Sequence, residues 1–161
     1  MATAVATKAQ QSIRVLEVVK EIEIAASIDI VFETVLEQLG PVLTCGEDAP
    51  PLEMKLEAWP GGRWFRELGN DGGHLWGHVQ SIRPPELLEL HGPMFMSAAA
   101  VSHVLFRLTE DAGLTRVAFS HRAMGLIPHE LQDGVEVNKG WTNYFAKLCA
   151  GVEQRLKAGN R

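Results

Sequence analysis

An apolar stripe near the C-terminus constrains this chain more than any other feature. Leu131, Val135, Trp141, Phe145, Leu148, Val152 and Leu156 recur at spacings of three and four, and only the polar Asn138 interrupts them. That periodicity predicts an amphipathic helix over Pro128 to Leu156. Glu130, Asp133, Glu136, Lys139, Lys147, Glu153 and Lys157 lie largely off the stripe. Trp141 and Phe145, with Tyr144 beside them, give the stripe a large apolar area that another element must cover. Most of what precedes it reads as strand. The expected architecture is therefore one antiparallel sheet wrapped around this helix, with any functional cavity between the two.

The 161 residues fit one domain, and a chain of that length buries about 70% of its unfolded surface. The net charge of −5 argues against nucleic acid or an anionic membrane surface as a partner, since both favour a basic face. No apolar run approaches the roughly 20 residues that span a bilayer. Residues 1–12 lack the basic start and apolar core of a signal peptide. They are expected to be a frayed tail ahead of one domain over 13–158, with a cytoplasmic address. Cys45 and Cys149 are too few for a disulfide framework and show no metal-ligand spacing, and Cys149 is expected to pack as a small hydrophobe.

Ile13 to Ile24 alternates, with Leu16, Val18, Ile22 and Ile24 on one face and Glu17, Glu21 and Glu23 on the other. This is the pattern of a half-buried strand with a wet outer face. Ser27 offers an N-cap to a short helix carrying Ile28, Val31, Phe32, Val35, Leu36 and Leu39, which Gly40-Pro41 should stop. Strands are then predicted over 52–58, 63–68, 74–82, 87–91, 101–108 and 114–124. Gly- and Pro-rich turns separate them, and Glu110-Asp111-Ala112-Gly113 forms the last hairpin. Seven strands, a helix after the first and a long helix after the last make an α+β class.

That order resembles the START and birch-pollen-allergen superfamily, the helix-grip fold also called SRPBCC. Specific stretches resemble its branch named for the Hsp90 ATPase activator homologue. They are Ala26-Ser27-Ile28-Asp29-Ile30-Val31-Phe32, Trp59-Pro60-Gly61-Gly62-Arg63-Trp64, Gly77 to Leu88 with Pro84-Pro85, and Gly140-Trp141. The resemblance covers roughly residues 15 to 157. It implies a curved sheet gripping the C-terminal helix over an apolar cavity. Members bind lipids, plant hormones, flavonoids or polyketides, a few are cyclases or hydrolases, and the branch's founding protein stimulates an ATPase as a co-chaperone. Fold alone does not choose among these.

Candidate ligand-binding residues are Trp64, Arg66, Trp76, Phe106, Phe119, His121, Trp141 and Phe145. The aromatics either line a cavity or fill it. Between Arg63 and Leu68 the parity that buries Trp64, Arg66 and Leu68 carries more apolar volume, and it makes Arg66 an anion anchor or a snorkelling rim residue. His121 shares a parity with Val117 and Phe119 and should point inward. It is there either as a polar anchor or general base, or as a core histidine satisfied by a backbone carbonyl. His74 and His78 share a strand face but sit about 13 Å apart, too far for a metal pair. His91 and His129 fall at turn-like positions, and His103 should face water. No metal site, cofactor or catalytic residue is expected, and no nucleophile or phosphate-loop motif appears.

Met94-Phe95-Met96 is an apolar loop, and so either a lid or a contact for a protein partner or second copy. The leading expectation is a non-enzymatic binding module for an apolar small molecule. The alternatives are a co-chaperone-like interaction domain and, third, a cyclase- or hydrolase-like enzyme using His121 or Arg66.

Overall fold

The computed structural model describes residue 4 and residues 10–95 and 98–159. Most of the expected N-terminal tail, and Met96 of the apolar loop, lie outside the described residues. The elements in chain order are β1 (Arg14–Ile24), α1 (Ile28–Gln38), β2 (Lys55–Leu56), β3 (Arg63–Gly69), β4 (Gly72–Arg83), β5 (Leu87–Gly92), β6 (Ala100–Asp111), β7 (Leu114–Gly125) and α2 (Val135–Gly159). The strands form one antiparallel sheet in the order β1-β7-β6-β5-β4-β3-β2. This is the helix-grip arrangement.

Strand alternation sets the inner face. Leu16 and Val18 on β1, Val104, Phe106 and Leu108 on β6, and Val117 and Phe119 on β7 are buried against the helices. Outward, Glu17 pairs with Arg122 at 2.7 Å and Glu23 with Arg116 at 3.0 Å, exposed bridges that contribute little to stability. The β3–β4 hairpin turns on Asn70 and Asp71, both with positive φ (51° and 60°), the conformation a two-residue hairpin turn requires.

The long helix departs from its expected start. Pro128 leads into a single 3-10 turn at His129–Leu131, Gly134 takes φ +75°, and α2 begins at Val135. There the Asp133 carboxylate accepts the free Val135 N–H at 3.0 Å. The buried stripe shifts accordingly. Tyr144, Phe145, Leu148 and Val152 are inside, whereas Val135 and Asn138 are exposed. Gly151 brings α2 close to α1, for a Cβ there would lie 2.9 Å from Thr34 Cγ2 and 3.1 Å from Gln38 Nε2.

Ser27 does occupy the N-cap of α1, but its side chain makes no capping bond. The Ile28 N–H instead donates to Glu110 Oε2 at 2.7 Å, so the β6–β7 hairpin caps this helix. The strand expected over 52–58 shrinks to two residues, with Glu53 at φ +54° breaking the extended run. On β3 the parity is right for Trp64, which is buried, but wrong for Leu68, which is exposed. Pairing with β4 shifts between Glu67 and Gly69, beyond the end of the core.

Candidate functional site

A pocket of about 310 Å³ opens between the first half of α2, the β3–β4 pair and the loops around residues 43–45 and 94–95. Its walls are three indoles, Trp64, Trp76 and Trp141, with Phe95 and Tyr144 between them. Leu43, Met94, Leu131 and Val137 complete the apolar lining, and Gly140 leaves space where a side chain would intrude.

Trp76 reaches this wall through an irregularity. Trp64 faces Gly77 and Phe65 faces Leu75, so Trp76 is an extra residue on β4. Such a bulge re-aims its side chain. Without it, simple alternation would put Trp76 on the face opposite Gly77 and Trp64. With it, the Trp76 ring stands edge-on to Trp64 at 5.1 Å.

The polar ends of the wall aromatics mostly turn into the protein. Trp64 Nε1 donates to the Leu39 carbonyl at 2.8 Å, and Tyr144 Oη donates to the Val35 carbonyl at 3.1 Å. Burial pushes the Tyr144 phenol well above its ordinary range. Trp76 Nε1 is buried and has no partner among the described residues.

His121 sits at the back of the pocket, 4% exposed and stacked on Phe95 at 5.8 Å. Trp141 Nε1 lies 3.0 Å from its Nδ1, and Ser102 Oγ lies 3.0 Å from its Nε2. An indole N–H only donates, so Nδ1 must be the acceptor and the neutral ring carries its proton on Nε2, which donates to Ser102. The only lone pair of the imidazole is therefore engaged by Trp141. His121 consequently does not take a proton from Ser102, and the pair is not a nucleophile with its base. Protonation would set two N–H groups against each other. Burial, with a smaller contribution from His103, lowers the pKa of His121 to about 4.

Of the eight candidate residues, the fold brings Trp64, Trp76, His121 and Trp141 together on the pocket wall. Phe106, Phe119 and Phe145 pack behind it as one aromatic cluster, with Phe106 and Phe119 at 4.9 Å and Phe119 and Trp141 at 4.4 Å. Arg66 lines the neighbouring groove with Phe65 and His74, and it stands near enough to Cys45 to act on that thiol's charge. Burial nonetheless dominates and raises the Cys45 pKa.

Thr44, Cys45, Met94, Phe95, Glu136 and Tyr144 were not among the candidates but belong to the wall. For Tyr144 the helical spacing held a signal, since it lies three residues after Trp141. Among the described residues no three metal-ligating side chains converge as they lie, and no helix is long and apolar enough to cross a membrane.

The fold recurs in solved structures of low sequence similarity. An uncharacterised protein from Rhizobium leguminosarum matches with a TM-score of 0.70 at 19% identity, covering 91% of this chain and 99% of that one. The SA2116 protein of Staphylococcus aureus matches at 0.63 and 17%, over 89% and 98% of the two chains. CalU16 from Micromonospora echinospora matches at 0.56 and 17%, over 86% and 80%. No curated protein matches the sequence. The model of the family described as activator of Hsp90 ATPase homolog 1-like protein matches residues 25–153. With that match spanning most of the chain, and with the sheet and gripped helix in place, this chain belongs to the activator of Hsp90 ATPase homolog 1-like family.

Proposed function

We propose that this chain is a binding module for an apolar small molecule, seated between the sheet and the first half of α2. The observation that carries the reading is the aromatic-walled pocket, whose volume of about 310 Å³ reaches the lower end of ligand-sized cavities. The chemistry of the wall narrows the ligand. The hydrogen-bonding groups of Trp64, Tyr144, Trp141 and His121 are engaged within the protein. A ligand thus gains mainly by filling space and stacking on rings, and the unpartnered Trp76 Nε1 offers one buried donor to a single acceptor on it.

Arg66, beyond Cys45 at the rim, suits an anionic tail. Phe106, Phe119 and Phe145 support the wall from behind. Met94 and Phe95 act as the closing side of the pocket, since Phe95 is buried against His121. No step of this reading needs catalysis, and a cytoplasmic location is part of the same proposal.

Native mass spectrometry of the purified chain, followed by denaturing extraction, tests for a retained apolar compound. The companion test titrates the fluorescence of 1-anilinonaphthalene-8-sulfonate against the wild type and Gly140→Leu. Saturable binding that the leucine blocks supports the reading. A clean apo mass with probe binding indifferent to Gly140→Leu overturns it.

A second reading, a protein-interaction module of the co-chaperone kind, has one observation in its favour. Val15, Met124 and Val101 stand directly opposite one another across β1, β7 and β6, and each is more than half exposed on the outer face. Loss of a captured partner or of a dimer on Met124→Glu, with probe binding intact, would select this reading over the first.

A further inference from the structure

Register across the sheet produces an arrangement that the spacing of residues along any one strand hides. His78 on β4 faces His91 on β5, and His91 faces His103 on β6. Strands lie about 4.8 Å apart, so three imidazoles stand side by side on the outer face of the sheet. His91 is exposed, and His78 and His103 are partly so. We propose that His91, with His78 and His103 on either side of it, forms a surface site for a divalent transition metal of the zinc class.

The His78 and His91 rings are already poised as a pair, with centroids 6.1 Å apart and planes tilted by 31°. A cation held at about 2.0–2.1 Å from a ring nitrogen sits about 3.2 Å from that ring's centre. Two rings sharing one metal therefore have centres about 5 Å apart at a tetrahedral angle. The observed 6.1 Å is about 1 Å wider, so the two rings must close toward one another to share a cation.

His78 also carries the second hydrogen bond typical of a ligating imidazole. Its Nδ1 lies 3.2 Å from the Gly61 carbonyl oxygen. A carbonyl only accepts, so that nitrogen holds the proton and Nε2 presents its lone pair.

A carboxylate stands beside the row. Glu89 Oε1 lies 3.8 Å from His103 Nε2 and offers an oxygen or orients a ligating ring. The row ends in arginines on both sides, Arg63 opposite His78 and Arg122 opposite His103. Each is already paired, Arg63 with Glu57 at 2.7 Å and Arg122 with Glu17 at 2.7 Å, which limits their repulsion of a cation. As the side chains lie no three ligands converge among the described residues, so binding requires the exposed His91 ring to turn between its neighbours. Three imidazoles with one carboxylate match the ligand set that zinc, copper and nickel favour.

The test titrates Zn²⁺ alone into the full chain by calorimetry, alongside His91→Ala, His78→Ala and His103→Ala, with His129→Ala as control. The site lies on the outer face and outside the pocket, and His91 is exposed, so the fold survives its removal. Near-unit stoichiometry is expected. The affinity should fall by about tenfold or more in His91→Ala and stay unchanged in His129→Ala. Line broadening by Ni²⁺ should be confined to the imidazoles of His78, His91 and His103. Three results overturn the proposal: no saturable binding, wild-type affinity in His91→Ala, or binding that is lost on Cys45→Ser instead.

Discussion

The indole Nε1 of Trp141 donates to Nδ1 of His121 at 3.0 Å, joining α2 to β7 through a part-buried side-chain bond. That bond decides the tautomer of His121, takes its lone pair and turns a potential base into a structural part of the pocket wall.

Burial of His121, with a smaller contribution from His103, makes stability pH-dependent with a definite sign. His121 has a pKa of about 4 when folded and an ordinary value of 6.5 when unfolded. Between those values the unfolded chain binds more protons, so stability rises with pH. The contribution is complete above pH 6.5 and is lost as pH falls toward 4. Its size is about 3 kcal/mol. Urea melts at pH 7, 6, 5 and 4 should show this decline in the wild type, and His121→Gln should show a flatter profile. Equal slopes in the two proteins would mean another group titrates.

Tyr144 is the single tyrosine of the chain, so its phenol reports on the core without interference. Its hydroxyl donates to Val35 O, and burial holds its pKa well above the ordinary 10. In an alkaline titration, phenolate absorbance should rise only together with loss of the circular dichroism signal. Tyr144→Phe should cost about 1 kcal/mol, a typical net hydrogen bond, because Val35 O keeps its helical partner Leu39 N–H. An absorbance rise near pH 10 in the folded chain would contradict the buried placement.

Gly77 should tolerate no side chain. A Cβ there would stand 2.5 Å from the His91 carbonyl oxygen, and β5 answers with Gly92, whose own Cβ would fall 2.3 Å from Gly77 Cα. The two strands approach too closely for either residue to be replaced, and Gly77 adjoins the bulge that directs Trp76 inward. Gly77→Ala should destabilise by about 3 kcal/mol. It should also weaken probe binding through displacement of Trp76. A loss under about 1 kcal/mol would show that the strands part easily at this point.

Much of the fold could be read from the sequence because side-chain period survives wherever one face is buried. Leu16 and Val18, Phe106 and Leu108, and Val117 and Phe119 all declare their inner face by simple alternation. Features set between elements were not legible. Trp76 lines the pocket only because of an added residue in the β3–β4 ladder, and alternation alone would have put it on the outer side. The histidine row depends on cross-strand register, which strand boundaries uncertain by a residue or two cannot give. The cap on α1 comes from Glu110, 82 residues away, so the neighbouring Ser27 misleads. Four of the eight candidate site residues meet at the pocket for the same mixture of reasons. His121 and Trp141 follow their local period, whereas Arg66 lies on a strand whose register shifts twice.

Gly140 separates stability from binding. It lies within α2 and lines the pocket, and a Cβ built on it meets nothing within 4 Å. Glycine in a helix interior costs about 1 kcal/mol relative to alanine through backbone entropy. Gly140→Ala should therefore stabilise the fold by about that amount, since the methyl group enters open space. Larger side chains at the same position should keep part of this gain while filling the pocket. Melting temperature should thus rise or hold across Gly140→Ala and Gly140→Leu, while binding of 1-anilinonaphthalene-8-sulfonate falls steeply at leucine. If the position instead accommodated a hinge needed by the helix, both variants would lose stability, and the melts would separate the two cases directly.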